Sequence, residues 1–183
     1  VFLQNIHTET LRIKDLVNRM LDLAAIENKK GLENVEDIKP EEIARRVIQS
    51  LKSVAEKKQI RIELDVKSNE EIRGEEFLIE QALQNLVKNA IEFSPANSTI
   101  QIEIYEQDSK LLFKIADEGA GIPDYAQDKI FDRFYSLKRP DSGRKSSGLG
   151  LSFVKEVAEL HYGDVIVQDT STQGTVMVLS VPI

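Results

Sequence analysis

The sequence predicts a domain of mixed α and β structure that follows one long N-terminal helix. Three observations support this prediction: an apolar stripe at heptad spacing near the N-terminus, several short segments in which apolar and polar residues alternate, and helical spacing of apolar residues between those segments. With 183 residues, of which 41% are hydrophobic and 30% are charged, the chain can bury the core of one full domain plus a short extension.

The N-terminal helix is predicted over residues 2–29, and Lys29, Lys30 and Gly31 supply the cations and the glycine that commonly end a helix. Its apolar stripe could pack on the chain's own domain, or the helix could belong to a bundle shared with a partner chain. We favour the bundle because this helix precedes every other element. The stripe consists of Phe2, Ile6, Ile13, Leu16, Met20 and Leu23, widened by Val17 and Ala24.

Helices and strands are both predicted over the rest of the chain. Pro40 opens a helix, and the segment after that helix has apolar residues at every second position, as a half-buried strand does. A polar, basic segment at 136–147 is rich in turn-forming residues and is predicted to be a mobile loop. The predicted helices are 40–57, 75–93 and 149–161, and the predicted strands are 60–66, 100–104, 110–116, 164–169 and 174–182.

Charge and composition exclude several classes of function. A net charge of −7 and a pI near 5.0 argue against a nucleic-acid-binding surface. The chain has no cysteine, which excludes disulfides and thiolate metal sites, and its two histidines, His7 and His161, lack the spacing of a zinc site. No apolar run reaches the ~18 residues of a membrane span and no secretory signal opens the chain, so a cytoplasmic location is expected.

Two asparagines lie four residues apart in the segment QNLVKNAIEF, residues 84–93. Asn85 and Asn89 share the polar side of the predicted helix, opposite its apolar face. Such a pair usually faces solvent, but asparagine is a mediocre helix former, so two on one stripe suggest a function. An asparagine carbonyl gives Mg²⁺ one hard, neutral oxygen without adding negative charge beside phosphates.

The segment DEGAGIP, residues 117–123, directly follows a predicted strand. Asp117 at the strand end can accept a hydrogen bond from an exocyclic amine such as adenine N6, whereas guanine presents a carbonyl at that edge. Gly119 and Gly121 allow a close approach of backbone to a ligand. The alternative is a plain Asp-Gly turn between strands, and on this segment alone the plain turn would be preferred.

A second glycine-rich segment, SSGLGLS at residues 146–152, opens a predicted helix. Gly148 and Gly150 would let the first amides of this helix point at phosphate, where the helix dipole also favours an anion. Neither a dinucleotide-binding GxGxxG between an opening strand and a helix nor a GxxxxGK[ST] phosphate loop occurs in the sequence.

Taken in order, these segments resemble the nucleotide-binding boxes of sensor histidine kinases. QNLVKNAIEF, DEGAGIP, IFDRFY at 130–135, SSGLGLS, and Gly174 with Thr175 are similar to the N, G1, F, G2 and G3 boxes of that family, within the ATPase superfamily of gyrase, Hsp90 and MutL. The resemblance covers residues 35–183, and FYSLKRP and RKSSGLGLSFVKEVAELH look most like the CreC-type sensor kinases. It implies an α+β fold, the two-layer α/β sandwich of this superfamily.

The resemblance also implies a division of the chain. Residues 1–30 resemble the second helix of the dimerisation and phosphoacceptor hairpin, which leaves 31–183 as the catalytic ATP-binding domain. The implied partners are ATP, that hairpin and a response regulator, with a homodimeric, membrane-anchored parent protein. His7 lacks the flanking acidic residue and the proline of the family's acceptor motif, so we do not expect it to be the acceptor.

The matched positions on the asparagine helix would bind the metal and the phosphates. Asn89 would ligate Mg²⁺, and Asn85 and Lys88 would act beside the phosphates as the catalytic residues. Phe93 would pack on the adenine, as an aromatic ring can on any base.

The adenine edge would be bound by Asp117, with Thr175 supporting the same edge through water. Residues 136–147 would form an ATP lid, anchored by the packing of Phe131 and Phe134. Other residues that would border the nucleotide are Gly119, Gly121, Ile122, Gly148, Leu149, Gly150 and Leu151, and the lid's candidate phosphate contacts are Lys138, Arg139, Arg144 and Lys145.

The sequence departs from the family pattern at two positions. Many relatives have a basic residue where Glu92 stands, so a phosphate contact from that position is not expected here. Ser146 occupies a place where an additional glycine is frequent, which should stiffen the hinge of the lid.

Asn85 distinguishes a kinase from a hydrolase. ATP-hydrolysing members of the superfamily have a glutamate four residues before the Mg²⁺ asparagine, positioned as a base for water. An amide cannot accept a proton from water at neutral pH, so this chain lacks that base. We therefore favour a protein-histidine kinase that does not phosphorylate itself as this chain alone. The alternatives are an ATP-hydrolysing module and a domain that only senses nucleotide. His161, at the end of its helix, is expected to be stabilised there by the helix dipole.

Overall fold

The computed structural model describes residues 2–140, 143, 146–171 and 173–183, without the side chains at 2–5, 7, 8, 11, 12 and 15 of the first helix. Within these residues the predicted elements are present with small changes of boundary. The helices are α1 (Phe2–Glu27), α2 (Pro40–Lys57), α3 (Glu76–Phe93), α4 (Asp124–Gln127) and α5 (Gly150–Leu160). The strands are β1 (Glu36–Ile38), β2 (Arg61–Val66), β3 (Ile72–Gly74), β4 (Thr99–Gln107), β5 (Lys110–Asp117), β6 (Asp164–Ser171) and β7 (Gly174–Pro182).

Five strands form one mixed sheet in the order β2-β4-β5-β7-β6. Only β2 and β4 run parallel, and the other neighbours are antiparallel. Alternate residues of the central strands point to a buried face, including Ile102 of β4 and Phe113 of β5, while their neighbours are half-buried or exposed. Helices α2, α3 and α5 pack together over the buried face. The result is the two-layer α/β sandwich of the α+β class that the sequence predicts.

Helix α2 shows why the local sequence folds as it does. Pro40 occupies the first turn, where a missing amide hydrogen costs nothing, and Glu41 and Glu42 favour the same end of the helix dipole. Its apolar residues at positions 43, 44, 47, 51 and 55 are buried at helical spacing.

Three short elements were not predicted. Strands β1 and β3 pair antiparallel as a separate two-stranded sheet, with Ile38 opposite Ile72. Three residues are too few to establish an alternating pattern, so their pairing depends on tertiary contacts. Helix α4 is a single turn after Pro123.

Helix α1 has two different halves. Near its C-terminus, Leu23 and Ile26 are 4% and 5% exposed because they pack into the domain core, and α1 contacts α5. Farther toward the N-terminus, Ile13 and Val17 are 54% and 47% exposed. The last turns therefore pack on the chain's own domain, as the first alternative required, while the preceding turns present apolar side chains to solvent. None of the described helices is long and apolar enough to cross a membrane.

Candidate nucleotide-binding site

A pocket lies between α3, the adjoining ends of β5 and β7, and the start of α5. Most of its lining side chains are apolar and a few are polar, which is typical of a small-molecule site. The pocket contains nine of the predicted nucleotide contacts: Asn89, Phe93, Asp117, Gly121, Ile122, Gly148, Gly150, Leu151 and Thr175.

The sheet fixes Asp117 at the end of this pocket formed by β5 and β7. It is the last residue of β5 and lies opposite Thr175 of β7. The backbone amide of Gly119 donates a hydrogen bond of 2.8 Å to Asp117 Oδ1. Burial raises the pKa of Asp117, and hydrogen bonds from the amides of Gly119 and Thr175 partly offset that rise. The carboxyl group is thus oriented by the backbone, with acceptor capacity left toward the pocket.

Helix α3 supplies one wall at intervals of four residues. Phe93 and Asn89 line the pocket, and Asn85, one turn farther along, lines a second, adjoining cleft together with Lys88. The Nδ2 group of Asn85 donates to the Gln81 carbonyl at 3.0 Å, which leaves its Oδ1 as an acceptor. The three side chains therefore mark a line along α3 from the pocket into the cleft.

The start of α5 stands where the pocket and the cleft meet. Gly150 lines both, and a Cβ at this position would lie 3.1 Å from Asn85 Oδ1. The residue before the helix, Leu149, is buried and forms no side-chain cap, so the first amides of α5 are not satisfied by capping. Such a helix end is a favourable site for an anion.

Two glycines of the site permit a close approach of the chain to itself. Gly121 has φ of +76°, and a Cβ there would lie 2.0 Å from the Ser171 carbonyl oxygen. Gly148 has φ of +70°, and its Cβ would meet the Phe134 backbone at 2.5 Å. Both positions require glycine for conformation and for space, independently of any ligand.

The predicted anchoring of the lid was half wrong. Phe131 is half-buried and packs against the core, but Phe134 is 60% exposed. Phe134 adopts φ of +64° and donates its amide to the Gly148 carbonyl at 2.9 Å, so it fixes the lid by its backbone. The next residue, Tyr135, packs against the core and lines the pocket instead.

The two lid cations that the structure describes, Lys138 and Arg139, do not line the pocket. Lys138 is exposed, and Arg139 forms an ion pair of 2.8 Å with Glu92. Arg144 and Lys145 are not among the described residues, nor is the side chain of His7. Gly119 packs beside Asp117 and the Phe93 carbonyl without lining the pocket.

The prediction that the helix dipole stabilises His161 is also wrong. It is the C-cap of α5, as expected, but it is 2% exposed, and burial lowers its pKa despite the hydrogen bond to Val157 and the attraction of Glu75. Its Nδ1 lies 2.7 Å from the Val157 carbonyl, and its Nε2 accepts the Glu75 amide at 3.0 Å. These partners require a neutral ring, so the dipole does not stabilise a cation here.

Several pocket residues were missed by the sequence analysis. Ile115 and Met177 belong to the buried faces of β5 and β7, and strand alternation could have placed them near Asp117 and Thr175. The others lie on α3 beside predicted positions or within the segments 130–135 and 136–147, and no signal singled them out as pocket residues: Leu86, Ala90, Ile130, Tyr135, Ser136, Leu137 and Ser146.

Comparison with known proteins agrees with this fold. Residues 74–183 match the model of the histidine kinase-, DNA gyrase B- and HSP90-like ATPase family. The sensor protein CreC of Escherichia coli K12 is 40% identical over 175 residues, which cover 94% of this chain and 36% of that protein. This chain therefore spans about a third of that relative.

Two solved structures share the fold. Full-length ShkA in complex with AMPPNP has a TM-score of 0.85 and 23% identity, covering 99% of this chain and 38% of that one. The histidine kinase ThkA in complex with the response regulator protein TrrA has a TM-score of 0.78 and 22% identity, covering 99% of this chain and 50% of that one.

The fold and the pocket together define an ATP-binding domain of the kind found in sensor histidine kinases. The chain belongs to the family of histidine kinase-, DNA gyrase B- and HSP90-like ATPases. The predicted likeness to CreC-type sensor kinases is confirmed.

Proposed function

We propose that this chain binds Mg²⁺-ATP and transfers the γ-phosphoryl group to a histidine on a separate helical hairpin. The observation that supports this most directly is the line of Phe93, Asn89 and Asn85 along α3. It begins near Asp117 and ends beside the start of α5, so one nucleotide could place its base and its phosphates against different groups.

The adenine is assigned to the end of the pocket formed by β5 and β7. Asp117 would accept a hydrogen bond from N6, Thr175 would support the same edge through water, and Phe93 would pack on the ring. The partly buried position of the carboxyl group strengthens such a hydrogen bond relative to one made in bulk water.

The phosphates are assigned to the junction of the pocket and the cleft. There the backbone amides at the start of α5 would donate hydrogen bonds to phosphate oxygens, with Asn85 and Lys88 close by. Leu149 and Leu151 flank Gly150 and would border the chain of phosphates. Lys138, Arg144 and Lys145 remain candidate contacts from the lid.

The residues present also fit Mg²⁺. Asn89 offers an amide oxygen in the pocket, and the described residues contain no cluster of three His, Cys, Asp or Glu side chains that would hold a metal by themselves. A protein ligand set this small suits an ion that is bound mainly by phosphate oxygens and water. Asn89 would hold the ion, whose chemistry when bound is to neutralise charge on the phosphates.

In the transfer, a nitrogen of the acceptor imidazole would bond to the γ-phosphorus while the bond from that phosphorus to the β–γ bridging oxygen breaks. ADP would leave with the bonding electron pair. The chain's own contribution is to position and stabilise charge, because Asn85 is not a base. In the whole protein we infer a homodimer, anchored in a membrane, that passes the phosphoryl group to a response regulator.

The test is incubation of the chain with γ-labelled ATP and Mg²⁺, with and without a supplied acceptor hairpin. We expect label on the hairpin, none on this chain, and none on a hairpin whose acceptor histidine is replaced by alanine. Label on this chain that disappears in His7→Ala would contradict the proposal. Tight ATP binding without transfer would favour a nucleotide-sensing domain, and rapid phosphate release would favour a hydrolase.

A further inference from the structure

The two ends of the lid are joined by hydrogen bonds within the chain, between residues 134–136 and 146–148, and we call this junction the neck of the lid. Ser136 Oγ accepts the amide of Ser146 at 3.0 Å and lies 3.1 Å from Ser146 Oγ. One step below, the Phe134 amide donates to the Gly148 carbonyl. The two ends of the lid are therefore joined, and the predicted stiffening by Ser146 has a physical basis in its contact with Ser136.

Beyond this neck, Arg139 reaches across to the last turn of α3. Its Nη2 lies 2.8 Å from Glu92 Oε2, and the two side chains are only 32% and 15% exposed. Arg139 Nε is buried and has no hydrogen-bond partner among the described residues. A partly desolvated ion pair of this kind is screened less by solvent and salt than a surface pair.

The Glu92 side of the pair is held in place. Lys58 Nζ donates to the carbonyl oxygens of Glu92 and Ser94 at 3.2 and 3.0 Å, which fixes the end of α3. Glu92 directly precedes Phe93, and Arg139 follows Leu137 by two residues. Because Phe93 and Leu137 both line the pocket, the ion pair joins two of its walls.

We propose that Glu92 and Arg139 form a clasp that holds the lid against α3, so that Arg139 is a positioning residue and not a phosphate ligand. The inference rests on the proposed function for its effect on nucleotide. If Arg139 contacted the γ-phosphate, its loss would weaken the binding of ATP more than the binding of ADP. In that case Glu92 would compete with the phosphate for Arg139. A clasp would retain both nucleotides equally, and loss of either partner would have the same effect.

The first measurement is the dissociation rate of ATP and of ADP, with Mg²⁺, followed by displacement with a fluorescent adenine nucleotide. Glu92→Gln and Arg139→Gln should each accelerate dissociation about fivefold for both nucleotides. The double variant should add nothing further, and the exchanged pair Glu92→Arg with Arg139→Glu should restore slow dissociation. Glu41→Gln removes an acid from the Arg45 ion pair on α2 and should change nothing.

A second measurement separates the clasp from the nucleotide site. In the nucleotide-free protein, hydrogen exchange over residues 134–148 should be faster than in wild type, to the same extent in Glu92→Gln and Arg139→Gln. This expectation does not depend on the proposed binding of ATP. Unchanged exchange in both variants would overturn the clasp. So would an Arg139→Gln variant that weakens ATP much more than ADP while Glu92→Gln weakens neither, since that pattern identifies a phosphate ligand.

Discussion

The two ends of the nucleotide pocket are built from different kinds of structure. At the proposed adenine end, Asp117 and Thr175 face each other on paired strands, and the Gly119 amide orients the carboxyl group. At the proposed phosphate end, the groups come from one face of α3, the start of α5 and a loop. The sheet orients the first set within the protein alone, whereas the second set includes the first amides of α5, which have no side-chain cap.

This contrast suggests that base recognition and phosphate binding respond differently to change. Alterations at the adenine end should disturb the folded chain itself, because its backbone segments are in close contact there. Alterations at the phosphate end should leave the fold intact and change ligand binding alone. Substitutions of matched type at the two ends can separate these effects.

The largest effect is expected for Gly121→Ala. Its Cβ would overlap the Ser171 carbonyl at 2.0 Å, whereas Gly143 in the lid has a similar positive φ and a Cβ there would meet no atom of the described residues within 4 Å. We expect Gly121→Ala to lower the free energy of unfolding by about 3 kcal/mol or more, and Gly143→Ala by about 1 kcal/mol. Urea unfolding of both variants measures the difference. Equal losses of unfolding free energy in the two variants would show that close backbone contact does not distinguish the adenine end from the lid.

Asn89→Ala should come next, with an effect on ligand binding only. Loss of the proposed Mg²⁺ ligand should weaken Mg²⁺-ATP by about tenfold to a hundredfold, with adenosine affinity and thermal stability unchanged. Calorimetry with and without Mg²⁺ measures it, and Gln101→Ala on the exposed face of β4 is the control. If Asn89→Ala keeps the full Mg²⁺-dependent affinity for ATP, Asn89 is not the Mg²⁺ ligand.

Glu75, just before α3, tests how firmly that helix is held. It is 6% exposed and accepts hydrogen bonds of 2.9 and 2.7 Å from Lys29 and one of 2.7 Å from the Glu33 amide. Burial alone would raise the pKa of Glu75, but the hydrogen bonds and charge of Lys29 and the hydrogen bond from the Glu33 amide together lower it below its ordinary value. We therefore expect Glu75→Gln to cost about 2 kcal/mol of unfolding free energy at pH 7.

The sign of the pH dependence follows from the lowered pKa. The stabilisation by Glu75 is present above the unfolded-state pKa, near 4.5, and is lost as the pH falls through the lower folded-state pKa. The difference between wild type and Glu75→Gln should be constant from pH 7 to pH 5.5 and shrink below pH 4.5 in urea titrations. A difference that grows on acidification would contradict the assignment.

The smallest effect is expected in the lid. Hydrogen exchange over 136–147 should slow about two- to fivefold more with an ATP analogue than with ADP, since only the former adds a γ-phosphate for the lid cations to attract. Segments around β4 should show no such difference and serve as an internal control. Identical protection by both nucleotides would leave the lid without a phosphate contact.

Much of the fold could be predicted because its signals are local. The strands β4 and β5 alternate, α2 begins at a proline, and the glycines near 121 and 148 mark tight approaches of backbone. The contacts that were missed depend on distant partners. His161 is neutral because the Glu75 amide, 86 residues away in sequence, donates to it. Arg139 was predicted to contact phosphate, but it pairs with Glu92 on another element.

The central claim is that Asp117 selects adenine at the end of the pocket fixed by the sheet. Calorimetric titration of the chain with ATP and with GTP, in the presence of Mg²⁺, tests it most directly, alongside Asp117→Ala and the control Asp108→Asn in the β4–β5 turn. We predict that wild type and Asp108→Asn prefer ATP by about tenfold to a hundredfold, and that Asp117→Ala loses this preference. Equal affinity of the wild type for ATP and GTP, or a preference for ATP that survives in Asp117→Ala, would contradict the account.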